Sequence, residues 1–399
     1  MNKATMEINL IFFSNLDSSN GGVETWLRLF LHEVLRGRQY FHKINIYYYT
    51  TPSKQIPLPA DDNSNIIRYI PIQLSEKKGL FNNFIKLLKF HSNVAKALKK
   101  THAVSALSLG SYPTGIFLAF FLNLYGIRRN TRHYIWLRTT LSKHIGTHTS
   151  RIFSKYIFFF EKKALKDADL VISNGWDTRD NYIREYNVPS VVVPNAINLS
   201  TYTNFEDVRQ LPANKIKIAY IGRFFEAKGA HNFVSAIKIF NSHYPGLVDR
   251  VTFSFVGWGE ESIEDFARTT PNCEFVGRIP NYKMHTYLAT IHCGVALTKS
   301  GDDTGGGGSG VSNNLLELMA AGRLILAFDN IIFRQFPRQD FMIYVKENDD
   351  NELARYFSQI VDNFQQYYPM ADNARSYAMS FSINEHVALL HQYLAEDTN

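Results

Sequence analysis

Two short stretches in the second half of the chain have the residue types and spacing to bind an anion. In GRFFEAKG, Gly222 closes a strand-like run, and Arg223 and Lys228 stand five residues apart around the turn into a helix. Strand carboxyl ends are where ligands bind in open parallel sheets, and two cations there suit a diphosphate. Two solvated basic residues on a turn account for that stretch equally well. The second stretch, SGVSNNLLELMAAG from Ser309 to Gly322, narrows the choice. Ser312 is placed to cap a helix beginning near Asn313, and the backbone N–H groups of Gly310, Val311 and Ser312 can face a phosphate at the positive helix end. Asn313 and Glu317 fall four apart on one face, while Leu315, Leu316, Met319 and Ala320 face the core. A carboxylate beside an anion site can accept hydrogen bonds from ribose hydroxyls. The plainer account is a capped helix with a surface glutamate.

The elements around these stretches form a repeating pattern. At 399 residues the chain exceeds the roughly 100 to 200 typical of one domain, so two domains are expected. With 45% hydrophobic and 20% charged residues it can bury large cores and is not disordered. INLIFF (Ile8 to Phe13) is nearly continuous in apolar residues, as for a parallel strand covered on both faces. A loop with Gly21 and Gly22 follows, then a helix with Trp26, Leu27, Phe30, Leu31, Val34 and Leu35 at helical spacing. INIYYY, ALSLG, HYIWLR, DLVIS and SVVVP are further strand candidates. After the irregular segment at residues 200–214, a second alternation starts at KIKIAYIG and continues through VTFSFVG, CEFVG, CGVALT, RLILAF and MIYVK. The expected fold class is α/β, with two parallel-sheet, Rossmann-like domains.

Charge and cysteine content limit the partners. The net charge is +7, from 43 Lys and Arg against 36 Asp and Glu, which favours anionic partners such as nucleotides, phosphorylated substrates or membrane surfaces. No zinc-finger spacing or nucleic-acid signature is present, so nucleic acid is not an expected partner. Cys273 and Cys293 form no C-x-x-C pair, which argues against a disulfide framework or metal site. The start, MNKATMEINLIFF, lacks a signal-peptide pattern, and a reducing cytoplasm fits best. GIFLAFFLNLYGI, from Gly115 to Ile127, is shorter than the roughly 20 residues that span a bilayer and reads as a buried helix. FIKLLKFHSNVAKALKK, residues 84–100, sets Phe84, Leu87, Leu88 and Phe90 beside five lysines. Such a helix can rest on an anionic membrane, on the inner face of the plasma membrane; a core-packed helix with a solvated lysine face fits as well.

The combination of GGVE, VVVPNAIN, IAYIGRFFEAKG, FSFVGWGEE, CEFVGRIPNYKMHTYL and SGVSNNLLELMAAG resembles the retaining GT-B glycosyltransferases of the glycogen-synthase-like group, glycosyltransferase family 4. The likeness covers nearly the whole chain and is more specific in its second half. It implies two Rossmann-like domains facing a cleft. The first would be an acceptor domain, residues 1–203 completed by a terminal helix within 375–399, and the second a nucleotide-sugar domain, residues 204–374. It implies that Arg223 and Lys228 neutralise the donor diphosphate, with Gly222 and residues 310–313 beside them. Glu317 matches the second acid of the family's E-x(7)-E motif, which binds ribose, and Ile279 lies where the family contacts the base. Gly21 and Gly22 match the glycine loop that approaches the phosphate and the reacting sugar.

Two departures from the family pattern bear on activity. Ser309 stands where the first acid of the motif contacts the donor sugar, and a hydroxyl replaces two charged acceptors there. Arg138 stands near the place of a common catalytic-site histidine, with His133 and His144 as neighbours. Asp302 and Asp303 can return a carboxylate to the sugar site, or they are solvated loop acids. The expected function is transfer of a sugar from a nucleoside diphosphate sugar, of UDP or GDP type, to a glycan or lipid-linked acceptor hydroxyl with retention and without a metal. The implied setting is bacterial surface polysaccharide or glycolipid synthesis. The rivals are an inactive GT-B scaffold subunit and a sugar-nucleotide epimerase.

Overall fold

The computed structural model describes residues 6–14, 22–37, 40–51, 66–138, 141, 151–202, 207–212, 214–301 and 310–398. The chain divides into two compact units, residues 1–195 with 383–399 and residues 196–382. The strands of the first unit are β1 (Met6–Phe12), β2 (Phe41–Thr50), β3 (Ile67–Gln73), β4 (Ser105–Leu109), β5 (Arg132–Leu137), β6 (Leu170–Ser173) and β7 (Val191–Val192). They pair in parallel in the order β3-β2-β1-β4-β5-β6-β7. Its helices are α1 (Gly22–Gly37), α2 (Leu80–Lys100), α3 (Ile116–Leu124), α4 (Arg151–Lys166) and α5 (Trp176–Tyr186). Right-handed crossovers put α1 on one face of the sheet and α2, α3 and α4 on the other.

The second unit holds β8 (Ile216–Phe224), α6 (Ala230–His243), β9 (Val251–Gly259), α7 (Glu261–Thr269), β10 (Cys273–Gly277), α8 (Asn281–Leu288) and β11 (Cys293–Ala296). It continues with α9 (Asn313–Ala320), β12 (Leu324–Asp329), α10 (Ile331–Arg334), β13 (Ile343–Lys346), α11 (Asp350–Asp362) and α12 (Tyr368–Ala378). Its parallel order is β10-β9-β8-β11-β12-β13. The last helix, α13 (Ile383–Thr398), packs on α1 in the first unit, with Val387, Leu390 and Leu394 fully buried. Strand order reverses between β1 and β4 and again between β8 and β11. Each reversal leaves a crevice outside the strand carboxyl ends, where open α/β sheets hold ligands.

Several elements differ from the sequence expectations. The strand β3 was not anticipated, because Pro71 interrupts its apolar pattern; as an edge strand it has no neighbour on one side to miss the N–H. The helix expected to be buried between Gly115 and Ile127 is the shorter α3, with Phe120 and Leu124 exposed. The basic helix begins earlier, at Leu80, and Phe90 points into the core with Val94, Ala95 and Leu98. The unit boundaries fall at 195/196 and 382/383 in place of 203/204 and 374/375. The reason is packing: α12 lies on α9 and β12, Ile197 bridges to Ser382, and Arg375 Nη2 donates to the Tyr202 carbonyl at 3.4 Å.

Candidate functional site

At the carboxyl end of β8 the chain makes a tight turn that holds both cations. The Tyr220 hydroxyl lies 2.9 Å from the Arg223 carbonyl and 3.0 Å from the Lys228 carbonyl, bridging the turn from beneath. Gly229 ends it at φ +71°, where an added Cβ would meet the Leu297 carbonyl oxygen at 2.2 Å. Only glycine satisfies both the left-handed backbone and the close approach. On the neighbouring strand, a Cβ on Gly257 would strike the Gly222 carbonyl oxygen at 1.7 Å, so the strand end also needs a bare backbone. Arg223 is exposed, with its guanidinium 5.4 Å from the Phe225 ring. Lys228 is half-buried; burial first, and then the Arg223 charge, lower its pKa to about 8. A lysine whose charge is disfavoured in the free protein gains most when an anion arrives.

The loop after β11 comes up beside this turn and is held from two sides. Lys299 N donates to the Ala227 carbonyl at 3.0 Å, and its ammonium pairs with Glu226. From the other side, Glu347 accepts from Ser300 Oγ at 2.9 Å and from Ser300 N at 3.2 Å. Asn330 Nδ2 bonds Glu347 and reaches the Thr298 carbonyl at 3.0 Å. Gly301 is the last described residue before 310. The chain returns through Gly310, at φ +79°, and buried Val311 into α9. Ser312 caps that helix, its Oγ accepting from Leu315 N at 3.3 Å. Asn314 ties the helix start to β8, Nδ2 to the Ile221 carbonyl at 2.8 Å. Both loops therefore flank the β8–β11 crevice, with the helix amino end beside the basic turn.

Glu317 lies one turn into α9, keeping some contact with solvent but crowded by protein on its other sides. Burial pushes its carboxyl up to about 7. Among the described residues no hydrogen bond or ion pair supports the charged form. Burial, and then the Glu317 charge, hold the neighbouring Tyr202 phenol far above its ordinary range. Such a carboxylate is costly in the free protein, and donors such as ribose hydroxyls would lower that cost. Leu318, absent from the expected core face, is buried against Gly294, where a Cβ would sit 2.4 Å from Leu318 Cδ2. Ile279 follows β10 and is half-buried.

In the first unit, Arg138 follows β5. Asn174 Nδ2 holds the Arg138 carbonyl at 2.9 Å, and the guanidinium stands 5.0 Å from the Trp136 ring and 5.5 Å from the Trp26 ring. Burial lowers the Arg138 pKa to about 10, against the opposing pull of Glu24. Its Nη1 is buried without a hydrogen bond among the described residues. Beneath it, Trp26 Nε1 donates to His386 Nε2 at 2.7 Å, and His386 Nδ1 donates to the Pro194 carbonyl at 2.7 Å. Those two bonds fix the His386 tautomer, and burial depresses its pKa to about 3, so the ring stays neutral. His133 is a core residue near the start of β5, with Nε2 2.9 Å from Ser108 Oγ.

Arg223, Lys228, Gly222, Gly310, Val311, Ser312, Asn313 and Glu317 thus share one end of the second sheet. Arg138 belongs to the first unit, and Gly22 there opens α1. Gly21, His144, Asp302, Asp303 and Ser309 lie outside the described residues. Sequence reasoning missed Tyr220, Asn314, Asn330, Glu347 and His386, whose roles depend on partners distant in the chain. The one local hint was the Asn330 side chain capping α10 at Ile332 N.

Residues 215–363 match the family described as glycosyl transferases group 1. An uncharacterized glycosyltransferase of Methanocaldococcus jannaschii is 22% identical over 241 residues, 56% of this chain and 58% of that protein. The match therefore spans little more than half of that relative's length. Among solved structures, sucrose-phosphate synthase from Thermosynechococcus elongatus superposes with a TM-score of 0.72 at 17% identity, covering 98% of each chain. Anabaena HepE in complex with UDP gives 0.68 at 14% identity, covering 98% of this chain and 100% of that one. Likeness over whole chains at these identities establishes the GT-B fold, with its two Rossmann-like, parallel-sheet domains.

Proposed function

We propose that this GT-B chain, with glycosyl transferases group 1 residues at 215–363, is a retaining glycosyltransferase that uses a nucleoside diphosphate sugar. The observation that carries the reading is the convergence at the β8–β11 crevice of Arg223, Lys228, the capped start of α9 and Glu317. The C1–O bond to the diphosphate breaks while charge builds on the phosphate oxygens, and stabilising that charge is the largest task. The two cations and the backbone N–H groups opening α9 meet it without an obligatory metal. The acceptor oxygen then bonds to C1, and the acceptor proton passes to a departing phosphate oxygen. Glu317 would hold the ribose and Ile279 the base. UDP is the first nucleotide to test, since HepE is a structural neighbour solved with it.

A glycan or lipid-linked acceptor in bacterial surface polysaccharide or glycolipid synthesis, at the inner face of the plasma membrane, completes the proposal. Ser309 in place of an acid favours one rival, a GT-B scaffold without transfer. A panel of UDP and GDP sugars tests the two. Thermal stabilisation together with transfer, or with slow donor hydrolysis that retains configuration, supports the enzyme. Stabilisation by none of them and no turnover would sink it.

A further inference from the structure

Eight of the fifteen exposed large apolar side chains among the described residues sit on three adjoining helices of the first unit. On α2, Leu80 is 92% and Phe81 75% exposed, and Phe84 follows one turn later. On α4, Tyr156, Phe159 (63% exposed) and Phe160 form an outward stripe. These helices already have core contacts elsewhere: α2 along its later turns, through Phe90, Val94 and Leu98, and α4 on its other side, through Ile157, Ala164 and Leu165. Between them, α3 packs on both and presents Phe120 and Leu124 outward. A helix with an apolar core face and a second, exposed apolar face carries more hydrophobic surface than folding requires.

The charges on this face have one sign. Neither α2 nor α3 contains an acidic residue. The single acid of α4, Glu161, is buried and accepts from Ser111 Oγ at 2.5 Å, Tyr182 at 2.7 Å and Tyr186 at 3.0 Å. Lysines stand among the aromatics of α4 instead: Lys155, Lys162 and Lys163. Protein–protein interfaces enrich aromatics but deplete lysine, whereas helices lying on lipid combine aromatic rings with lysines whose stems follow the apolar surface and whose ammonium groups meet phosphates.

We propose that the outer face of α2, α3 and α4 docks on an anionic lipid bilayer, with the rings entering the headgroup boundary and the lysines pairing with lipid phosphates. The proposal deepens the membrane part of the functional reading and relocates it. The contact is the start of α2 together with α3 and α4, because the later turns of the basic helix, from Phe90 to Leu98, pack into the core. It asks for no membrane-spanning segment, and no helix among the described residues is long and apolar enough to cross a membrane.

The test is co-sedimentation of the full chain with phosphatidylcholine vesicles, alone or containing phosphatidylglycerol. The wild type should bind the phosphatidylglycerol vesicles and lose binding as salt rises. The double variants Phe81→Ser with Phe84→Ser, and Phe159→Ser with Phe160→Ser, should each weaken binding about tenfold or more. Replacing Lys155, Lys162 and Lys163 with Gln should lower it further and flatten the salt dependence. Ile331→Ser with Met379→Ser, which removes exposed apolar groups of the second unit, should change nothing. Absence of binding to phosphatidylglycerol vesicles, or undiminished binding by the aromatic variants, would overturn the proposal. So would a wild-type dimer that the same substitutions dissociate, since the face would then belong to a second copy. Thermal stabilisation by UDP, read on the same samples, keeps the two readings apart. Vesicle binding without a UDP response counts against a UDP donor alone, and a UDP response without vesicle binding counts against docking alone.

Discussion

Replacing Glu317 with Gln should make the ligand-free protein more stable while weakening nucleotide binding. The Glu317 carboxyl titrates at about 7 in the fold, against 4.5 for the ordinary group, with burial as the cause. The folded state therefore holds this proton more tightly than the unfolded chain. By linkage, its contribution to stability is complete below pH 4.5 and is lost as the pH rises towards 7. A gap of that size corresponds to about 3 kcal/mol at about 1.4 kcal/mol per pH unit. Residual solvent contact reduces this to on the order of 2 kcal/mol. Glutamine keeps the shape and removes the titration, so relative to wild type the variant should gain that amount between acid and neutral pH. Scanning calorimetry of both proteins across this range measures it, following the transition that a nucleoside diphosphate shifts. Loss of a charge-assisted bond to ribose should meanwhile weaken nucleotide affinity by about tenfold or more. Parallel stability profiles for the two proteins would refute the burial argument, and unchanged nucleotide affinity would remove Glu317 from the site.

Other outcomes follow from the same geometry. Arg223→Ala and Lys228→Ala should each weaken nucleoside diphosphate binding by about 1.5 to 3 kcal/mol, read by calorimetric titration, and wild-type affinity in both variants would contradict the diphosphate assignment. Nucleotide affinity should be bell-shaped in pH, rising as Glu317 ionises through about 7 and falling as Lys228 loses its proton above about 8; a flat titration would rule out both roles. Gly229→Ala should cost about 1 to 3 kcal/mol of stability and lower nucleotide affinity, because its Cβ meets the Leu297 carbonyl, and a wild-type melting temperature would show that the turn can shift. Transfer should persist in EDTA, since cations occupy the place of a metal; loss of activity that Mn²⁺ or Mg²⁺ restores would reverse that prediction.

The sequence by itself determined the class of fold, because a parallel strand covered on both faces must be apolar throughout and its connecting helix must be apolar on one face. Both properties are local and can be counted along the chain. The Ser312 cap was legible for the same reason, since its bond to Leu315 N closes within one turn. Only the tertiary structure decided what depends on residues far apart in sequence. Tyr220 looks like one more core aromatic until its hydroxyl is seen to bridge the turn that carries Arg223 and Lys228. Glu347 reads as a surface acid until it accepts from Ser300, 47 positions earlier. His386 belongs to the Arg138 cluster because α13 returns to the first unit, bringing it to Trp26 across 360 positions. The depressed Lys228 and elevated Glu317 pKa values follow the same rule: desolvation depends on what packs around a group, and neighbours in sequence do not set it.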